Sequence, residues 1–210
     1  MSKHVAVVMG GWSSERDVSL VTGQAVASAL RRLDYQVSDI DASTELAQQL
    51  KDVQPEVIFN ALHGPWGEDG CVQGIFEVLN IPYTHSGVLA SAVAMDKPMA
   101  KKVFRQVGIP CAEHKIVTYE ELSQSDPLTR PYVAKPINEG SSVGVQIIQV
   151  GDNGPTRPVE AADSACRVMI EQYVPGRELA CGVIDGRALA ITELIPKSGF
   201  YDYEAKYSDG

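Results

Sequence analysis

The segment from Lys135 to Gly144 contains residue types that could hold a phosphate group. It reads Lys-Pro-Ile-Asn-Glu-Gly-Ser-Ser-Val-Gly, so a lysine ends an apolar run and small residues follow. Small residues let backbone N–H groups approach a ligand, and each hydrogen bond to a charged oxygen contributes about 1.5–3 kcal/mol. No Gly-Lys-Ser/Thr opens a helix here, so this is not a Walker loop. The segment predicts either a phosphate cover of another kind or a flexible turn with a surface lysine.

A second candidate is the linker that follows the predicted strand ending near Glu171. The sequence Glu-Gln-Tyr-Val-Pro-Gly-Arg-Glu runs from Glu171 to Glu178 and includes Val174. A linker between strands could offer backbone groups to an adenine edge and a carboxylate to ribose hydroxyls. Acidic residues beside a turn are also typical of a solvated surface, so the linker alone leaves both interpretations open.

Glu15 and His63 each follow a predicted strand of the N-terminal region. Ligands of parallel α/β sheets bind at the carboxyl ends of strands, so both residues are candidates. The segment around Glu15 lacks the second and third glycines of a dinucleotide fingerprint. Its carboxylate suits either a substrate ammonium or the N-terminus of a helix. His63 opens a glycine-rich turn, where it is either structural or functional.

The elements that would position these residues fall into two patterns. The N-terminal region alternates strand and helix signals, which predicts a parallel sheet covered by helices. The expected elements are strands at 4–9, 36–40 and 57–62 and helices at 19–33, 46–53 and 70–79. A break near 86–97 precedes a helix that Asp96 caps and that reaches Val107. The strands expected after it are mostly antiparallel and lie at 115–117, 132–136, 143–150, 168–174, 178–184 and 188–195.

Composition narrows the class of protein. The net charge of −9 and the pI near 4.9 disfavour nucleic acid or an anionic membrane as the main partner. The sequence contains no apolar stretch of the ~18 residues that a membrane helix needs. The four cysteines lack metal-ligand spacing, which predicts small buried side chains in a reducing, cytoplasmic compartment.

Several fragments, in order along essentially the whole chain, resemble one family. They are Gly10-Gly11-x-Ser13-x-Glu15-Arg16-x-Val18-Ser19, Ala61-Leu62-His63-Gly64, Gly67-Glu68-Asp69-Gly70, Pro82-Tyr83-Thr84, Met95-Asp96-Lys97, Lys135-Pro136, Glu139-Gly140-Ser141-Ser142-Val143-Gly144 and Phe200-Tyr201-Asp202-Tyr203-Glu204-Ala205-Lys206-Tyr207. The chain is thereby similar to the D-alanine–D-alanine ligases, ATP-grasp enzymes of peptidoglycan precursor synthesis. The resemblance favours the phosphate cover over the flexible turn.

The resemblance implies an α/β fold in three parts. Residues 1–96 would form a Rossmann-like parallel α/β domain, and 97–187 the central subdomain of an ATP-grasp α+β domain. Residues 188–210 would begin its C-terminal subdomain, which is incomplete in this chain. The implied partners are ATP, D-alanine and a second copy of the chain in a homodimer, without nucleic acid or membrane.

The resemblance also implies roles for residues, carried over position by position. The catalytic residues would be Glu15, Ser141 and Tyr207. Glu15 would hold the ammonium of the first D-alanine, and Ser141 and Tyr207 would be linked to Glu15 by hydrogen bonds. His63 would lie near the carboxyl group of that substrate. The ATP-binding residues would be Lys97, Lys135, Glu139, Ser141, Ser142, Glu171, Val174, Glu178 and Lys206.

The implied cofactors are ATP and Mg²⁺ or Mn²⁺. The expected metal ligands lie beyond Gly210, so this chain alone is expected to be inactive. Two alternatives stay open at this point: a related ligase with another acceptor, such as D-lactate, and a nucleotide-binding module without turnover.

Overall fold

The computed structural model describes residues 3–157 and 166–195. The chain divides into two compact units, Met1–Val103 and a second that begins at Phe104. Within the described ranges, no helix has both the length and the apolar character needed to cross a membrane.

The first unit contains a parallel sheet in the order β2-β1-β3. Val5 pairs with Val37 on one side and with Val57 on the other. The strands are β1 (His4–Met9), β2 (Gln36–Asp41) and β3 (Val57–Asn60). The helices are α1 (Arg16–Arg32), α2 (Leu46–Val53), α3 (Cys71–Val78), α4 (Val88–Met95) and α5 (Lys97–Gln106), the last of which continues past Val103. The predicted parallel sheet is confirmed.

The central strand β1 is buried on both faces, as its unbroken apolar sequence predicts. Ala6 and Val8 pack into a cluster with residues of α2 and α3, including Leu50 and Phe76. The opposite face of β1 packs against Ala27 of α1. Two packed faces hold the strand rigidly, so the loops at its carboxyl end start from a fixed position.

The second unit contains antiparallel strands in two sheets. The larger has the order β4-β7-β5-β6, and the smaller pairs β8 with β9. The strands are β4 (His114–Thr118), β5 (Tyr132–Pro136), β6 (Gln146–Ile148), β7 (Arg167–Gln172), β8 (Glu178–Ile184) and β9 (Arg187–Leu194), with one helix described, α6 (Tyr119–Gln124). Asp185 and Gly186 have positive φ angles of 48° and 73°, which confirms the predicted two-residue hairpin turn.

Several expectations were wrong in detail. Helix α4 lies where a break was expected, because its nearly all-apolar sequence lacks the periodicity that marks an amphipathic helix. Helix α6 was not predicted, although Thr118 and Glu121 form a reciprocal capping box, which is a sequence signature of a helix N-terminus. Strand β6 is shorter than 143–150, because the preceding turn continues to Val145.

The expectation of buried cysteines was also wrong. Cys71, Cys166 and Cys181 are exposed and Cys111 is half-buried, although all four are free thiols. Cys181 lies in β8, whose residues are all exposed.

Tyr132 is expected to make stability depend on pH in the alkaline range. Its side chain is fully buried, and its hydroxyl donates a hydrogen bond of 2.7 Å to Asp126 Oδ1. Burial, with the hydrogen bond to Asp126, raises the pKa of Tyr132 to about 12. An unfolded tyrosine titrates near pH ~10, so above that pH the unfolded state binds fewer protons and stability falls.

Tyr132→Phe should therefore lower the free energy of unfolding at pH 8 by about 1–2 kcal/mol. It should also flatten the fall in stability between pH ~10 and the folded-state pKa of about 12. Urea unfolding across that range measures both effects. Tyr35→Phe is the control, because Tyr35 is exposed. An unchanged alkaline slope in Tyr132→Phe would contradict the assignment.

Candidate functional site

A buried hydroxyl joins the loops that follow β1 and β3. Ser19 of α1 is fully buried, and its Oγ accepts a hydrogen bond from Gly10 N (2.8 Å) and donates one to Ala61 O (2.7 Å). Helix α1 comes close to β1 because Gly23 has no side chain: a Cβ there would lie 2.4 Å from Met9 Cβ. The two strand ends are therefore held at a fixed separation.

Glu15 lies at this junction, immediately before α1, and only 1% of it is exposed. Its backbone N–H donates to Ser13 Oγ (3.2 Å), and Ser13 Oγ donates in turn to His63 O (2.8 Å). A Cβ on Gly64 would lie 2.5 Å from Glu15 Oε2, so the carboxylate lies against the backbone of the His63 turn. The structure thus brings together Glu15 and His63, which are 48 positions apart in the sequence.

The turn at His63 is held by its own contacts. His63 Nε2 lies 3.2 Å from Thr22 Oγ1, within hydrogen-bond distance. Gly64 N donates to Glu68 Oε2 at 2.8 Å. Deeper in the turn, Gly67 O accepts from the buried amides of Asn60 (2.9 Å) and Gln73 (2.7 Å). These bonds fix the backbone on which the His63 side chain is mounted.

An ion pair closes the outer side of the β1 loop. Arg16 makes a bidentate contact with Asp41, at 2.7 and 2.6 Å, and also donates to Gly11 O at 2.7 Å. The hydrogen bond from Arg16 holds the pKa of Asp41 below its ordinary value. Both side chains are largely exposed, so the pair positions the glycines of the loop more than it stabilises the fold.

Lys135 and Glu171 form an ion pair across two strands of the second unit. Lys135 pairs with Met169 and Val133 pairs with Glu171, so the two charged side chains lie diagonally on one face of the sheet. Their side chains are 21% and 16% exposed. This face therefore carries a partly buried lysine with a carboxylate beside it.

The loop after β5 has a backbone of consecutive tight turns. Ser141, Ser142 and Gly144 have positive φ angles of 47°, 62° and 67°. Val143 N donates to Gly140 O (2.9 Å), and Val145 N donates to Ser142 O (3.2 Å). Successive backbone N–H groups in a turn can form a concavity that binds anions. Glu139, in the same loop, is half-buried.

The remaining candidate residues are not part of the groups around Glu15 or Lys135 described above. Lys97 is half-buried and is the first residue of α5, in the first unit. The preceding residue, Asp96, caps the helix as predicted, because its carboxylate accepts a hydrogen bond of 2.8 Å from Met99 N. Val174 and Glu178 are exposed, after β7 and at the start of β8. Lys206 and Tyr207 lie outside the described residues.

Sequence reasoning missed the part played by hydroxyl groups in the first unit. Ser13, Ser19 and Thr22 each bond to the loop that includes Ala61 and His63. A signal was present, because Ser19 and Thr22 are three residues apart and share one face of α1. Polar residues on the face of a helix that packs against a sheet need buried partners.

Within residues 3–157 and 166–195, no three His, Cys, Asp or Glu side chains lie together as possible ligands of a metal ion. No step of a reaction is assigned to a metal.

Comparison with known families identifies the chain. A family model described as the D-ala D-ala ligase C-terminus matches residues 103–210, and one described as the D-ala D-ala ligase N-terminus matches residues 39–86. The chain belongs to the D-alanine–D-alanine ligase family. Within this family, it is 54% identical to the D-alanine–D-alanine ligase of Parvibaculum lavamentivorans, over 100% of this chain and 68% of that relative. It is 50% identical to the enzyme of Granulibacter bethesdensis, over 99% of this chain and 68% of that relative.

Solved structures of the family agree with the mixed α/β fold. A crystal structure of D-alanine–D-alanine ligase from Bacillus anthracis matches with a TM-score of 0.77 at 34% identity, over 99% of this chain and 69% of that one. The same enzyme complexed with ATP matches with a TM-score of 0.74 at 30% identity, over 95% of this chain and 68% of that one. The chain thus has the parallel and antiparallel sheets of its family and spans about two thirds of these relatives.

The contact between Gly64 and Glu15 predicts the effect of adding one methyl group. Gly64→Ala should lower the free energy of unfolding by more than about 2 kcal/mol, because the left-handed φ of +70° alone costs about 1–2 kcal/mol and the Cβ also meets Glu15 Oε2. In a Glu15→Ala background, the loss should fall to the about 1–2 kcal/mol that the left-handed φ alone costs, because no carboxylate then meets the new Cβ. Urea unfolding of the parent protein, Gly64→Ala, Glu15→Ala and the double variant measures how far the loss depends on Glu15.

Gly74→Ala is the control, because a Cβ there meets nothing within 4 Å. Gly74 lies inside α3, so the change should be neutral or should stabilise by up to about 1 kcal/mol. An equal loss for Gly64→Ala with and without Glu15 would show that the carboxylate does not lie against this turn.

Proposed function

We propose that the function is ATP-dependent ligation of two D-alanines for peptidoglycan precursor synthesis. The observation that carries this proposal is the buried carboxylate of Glu15 beside the His63 turn, in a chain about half identical to D-alanine–D-alanine ligases. A buried carboxylate attracts a cation strongly, because little water screens it. The ammonium group of an amino acid is such a cation.

In the reaction, the carboxylate of the first D-alanine attacks the terminal phosphorus of ATP, and ADP leaves. The amine of the second D-alanine then attacks the acyl phosphate, loses a proton and expels inorganic phosphate. Such chemistry depends on positioning and charge stabilisation more than on a protein nucleophile. Glu15 would hold the ammonium of the first substrate and His63 would lie near its carboxyl group.

Residues of the second unit would hold the nucleotide, and the ATP contact of Lys97 stays a prediction. Lys135 supplies a positive charge on the face of the sheet, and the turns at Ser141 and Ser142 supply the concave backbone that suits a phosphate. Glu171, Val174 and Glu178 would contact adenine and ribose, with Glu139 in the phosphate loop. The roles of Lys206 and of Tyr207, and the catalytic link through Ser141, stay predictions.

Several finer assignments belong to the same proposal. The first unit would be the Rossmann-like domain and the second an ATP-grasp domain, with boundaries at 1–96, 97–187 and 188–210. The four free thiols are consistent with a reducing compartment such as the cytoplasm. A homodimer through the first unit would bury exposed apolar residues such as Val78 of α3 and Leu89 of α4. Magnesium stays a prediction.

The alternatives are not favoured. The relatives that match this chain at 50–54% identity are named D-alanine–D-alanine ligase, which supports turnover with D-alanine over a nucleotide-binding module or a D-lactate acceptor.

Glu15→Gln tests the first substrate site. Replacing the carboxylate with an amide removes the charge that faces the ammonium, so kcat/KM for the first D-alanine should fall about 10- to 100-fold. Affinity for ATP should be unchanged. D-alanine-dependent phosphate release by the complete gene product measures the effect. Asp17→Asn is the control, because Asp17 is an exposed acid two positions away. Unchanged D-alanine kinetics would rule out the assignment of Glu15.

Lys135→Ala tests the phosphate site. Loss of the ammonium group should weaken ATP binding about 10- to 100-fold, which isothermal titration calorimetry measures. Lys115→Ala is the matched control, because Lys115 lies in β4 of the same sheet and its side chain is exposed. Affinity like that of the parent protein in Lys135→Ala would count against this site.

A further inference from the structure

The contact between Thr22 and His63 links a helix to the proposed substrate site. Thr22 lies in the second turn of α1, and its Oγ1 lies 3.2 Å from His63 Nε2. Both residues are half-buried. The contact spans 41 positions of sequence and crosses from α1 to the loop after β3, so only the folded chain forms it.

The backbone of His63 is already held without Thr22. Ser13 Oγ donates to His63 O at 2.8 Å, and Gly64 N donates to Glu68 Oε2 at 2.8 Å. The remaining freedom of His63 is rotation of its side chain. The Thr22 hydroxyl is the group that restrains this rotation, because it bonds to the ring itself.

The bond also decides which ring nitrogen faces a ligand. A neutral imidazole has one N–H donor and one acceptor, and a hydroxyl can satisfy either. With Nε2 bonded to Thr22, Nδ1 is the nitrogen left for another partner, and it makes no hydrogen bond to any residue in 3–157 or 166–195. The bond at Nε2 therefore restrains the orientation of the ring and leaves Nδ1 facing a ligand.

We propose that Thr22 is a positioning residue, which holds His63 so that Nδ1 is presented to the carboxyl group of the first substrate. This inference rests on the proposed function. Thr22 does not touch the substrate itself: it acts through the imidazole.

Thr22→Val and Thr22→Ser separate this role from a packing role. Valine keeps the branched shape of threonine and a similar helix propensity while removing the hydroxyl. Serine keeps the hydroxyl and removes the methyl group. Kinetics of the complete gene product should show kcat/KM for D-alanine about 3- to 10-fold lower in Thr22→Val. Thr22→Ser should restore it, and the KM for ATP should stay unchanged in both.

A second measurement does not depend on turnover. Nitrogen-15 NMR of the His63 imidazole should show a shifted Nε2 resonance in Thr22→Val, because the hydrogen bond to Nε2 is lost, and a resonance like that of the parent chain in Thr22→Ser. In a His63→Ala background, Thr22→Val should have no further effect on kinetics, because the residue through which it acts is gone.

The outcomes are distinct. Unchanged D-alanine kinetics in Thr22→Val, or a Thr22→Ser variant as impaired as Thr22→Val, would overturn the inference. If Glu15→Gln is impaired as expected while Thr22→Val is not, the inference alone fails. If neither change affects the use of D-alanine, the proposed function fails as well.

Discussion

The arrangement of the first unit depends on the buried hydroxyl of Ser19. Parallel strands end in loops whose backbone groups have left the sheet, so these groups need other partners. Ser19 Oγ satisfies Gly10 N after β1 and Ala61 O after β3 at once. One side chain therefore replaces the sheet hydrogen bonds beyond the strand ends. Everything that follows in the two loops, including Glu15 and His63, starts from this point.

Around that junction, hydrogen bonds hold the backbones of two candidate site residues. Ser13 bonds to the backbone of both Glu15 and His63. Rigid placement of charged and polar groups is what allows a site to stabilise a reacting molecule without rearranging. The Thr22 hydroxyl extends the same principle to the His63 ring.

The second unit contains the predicted phosphate site, which differs in construction from the junction in the first unit. Antiparallel pairing places Lys135 and Glu171 diagonally on one face, so the lysine is already partly withdrawn from water. The neighbouring loop adopts left-handed conformations at Ser141 and Ser142, which are uncommon for residues with a side chain.

Much of the secondary structure could be predicted from the sequence. Strands His4–Met9, Tyr132–Pro136 and Glu178–Ile184 and helix Leu46–Val53 have the bounds that their apolar patterns predict. Pattern failed at α4, whose sequence is apolar on all sides, and the Thr118 capping box of α6 was overlooked. Predictions for Lys206 and Tyr207 concern residues outside the described ranges.

The sequence by itself determined the family, the order of the elements and the identity of Glu15, His63 and Lys135 as candidates, because linked motifs and periodicity are properties of the chain. Only the tertiary structure decided their partners: Glu15 against Gly64, His63 with Thr22, and Lys135 with Glu171. These pairs are separated by 36 to 49 positions, which no local pattern spans. Their distances follow from packing and strand register, which arise only when the sheets form.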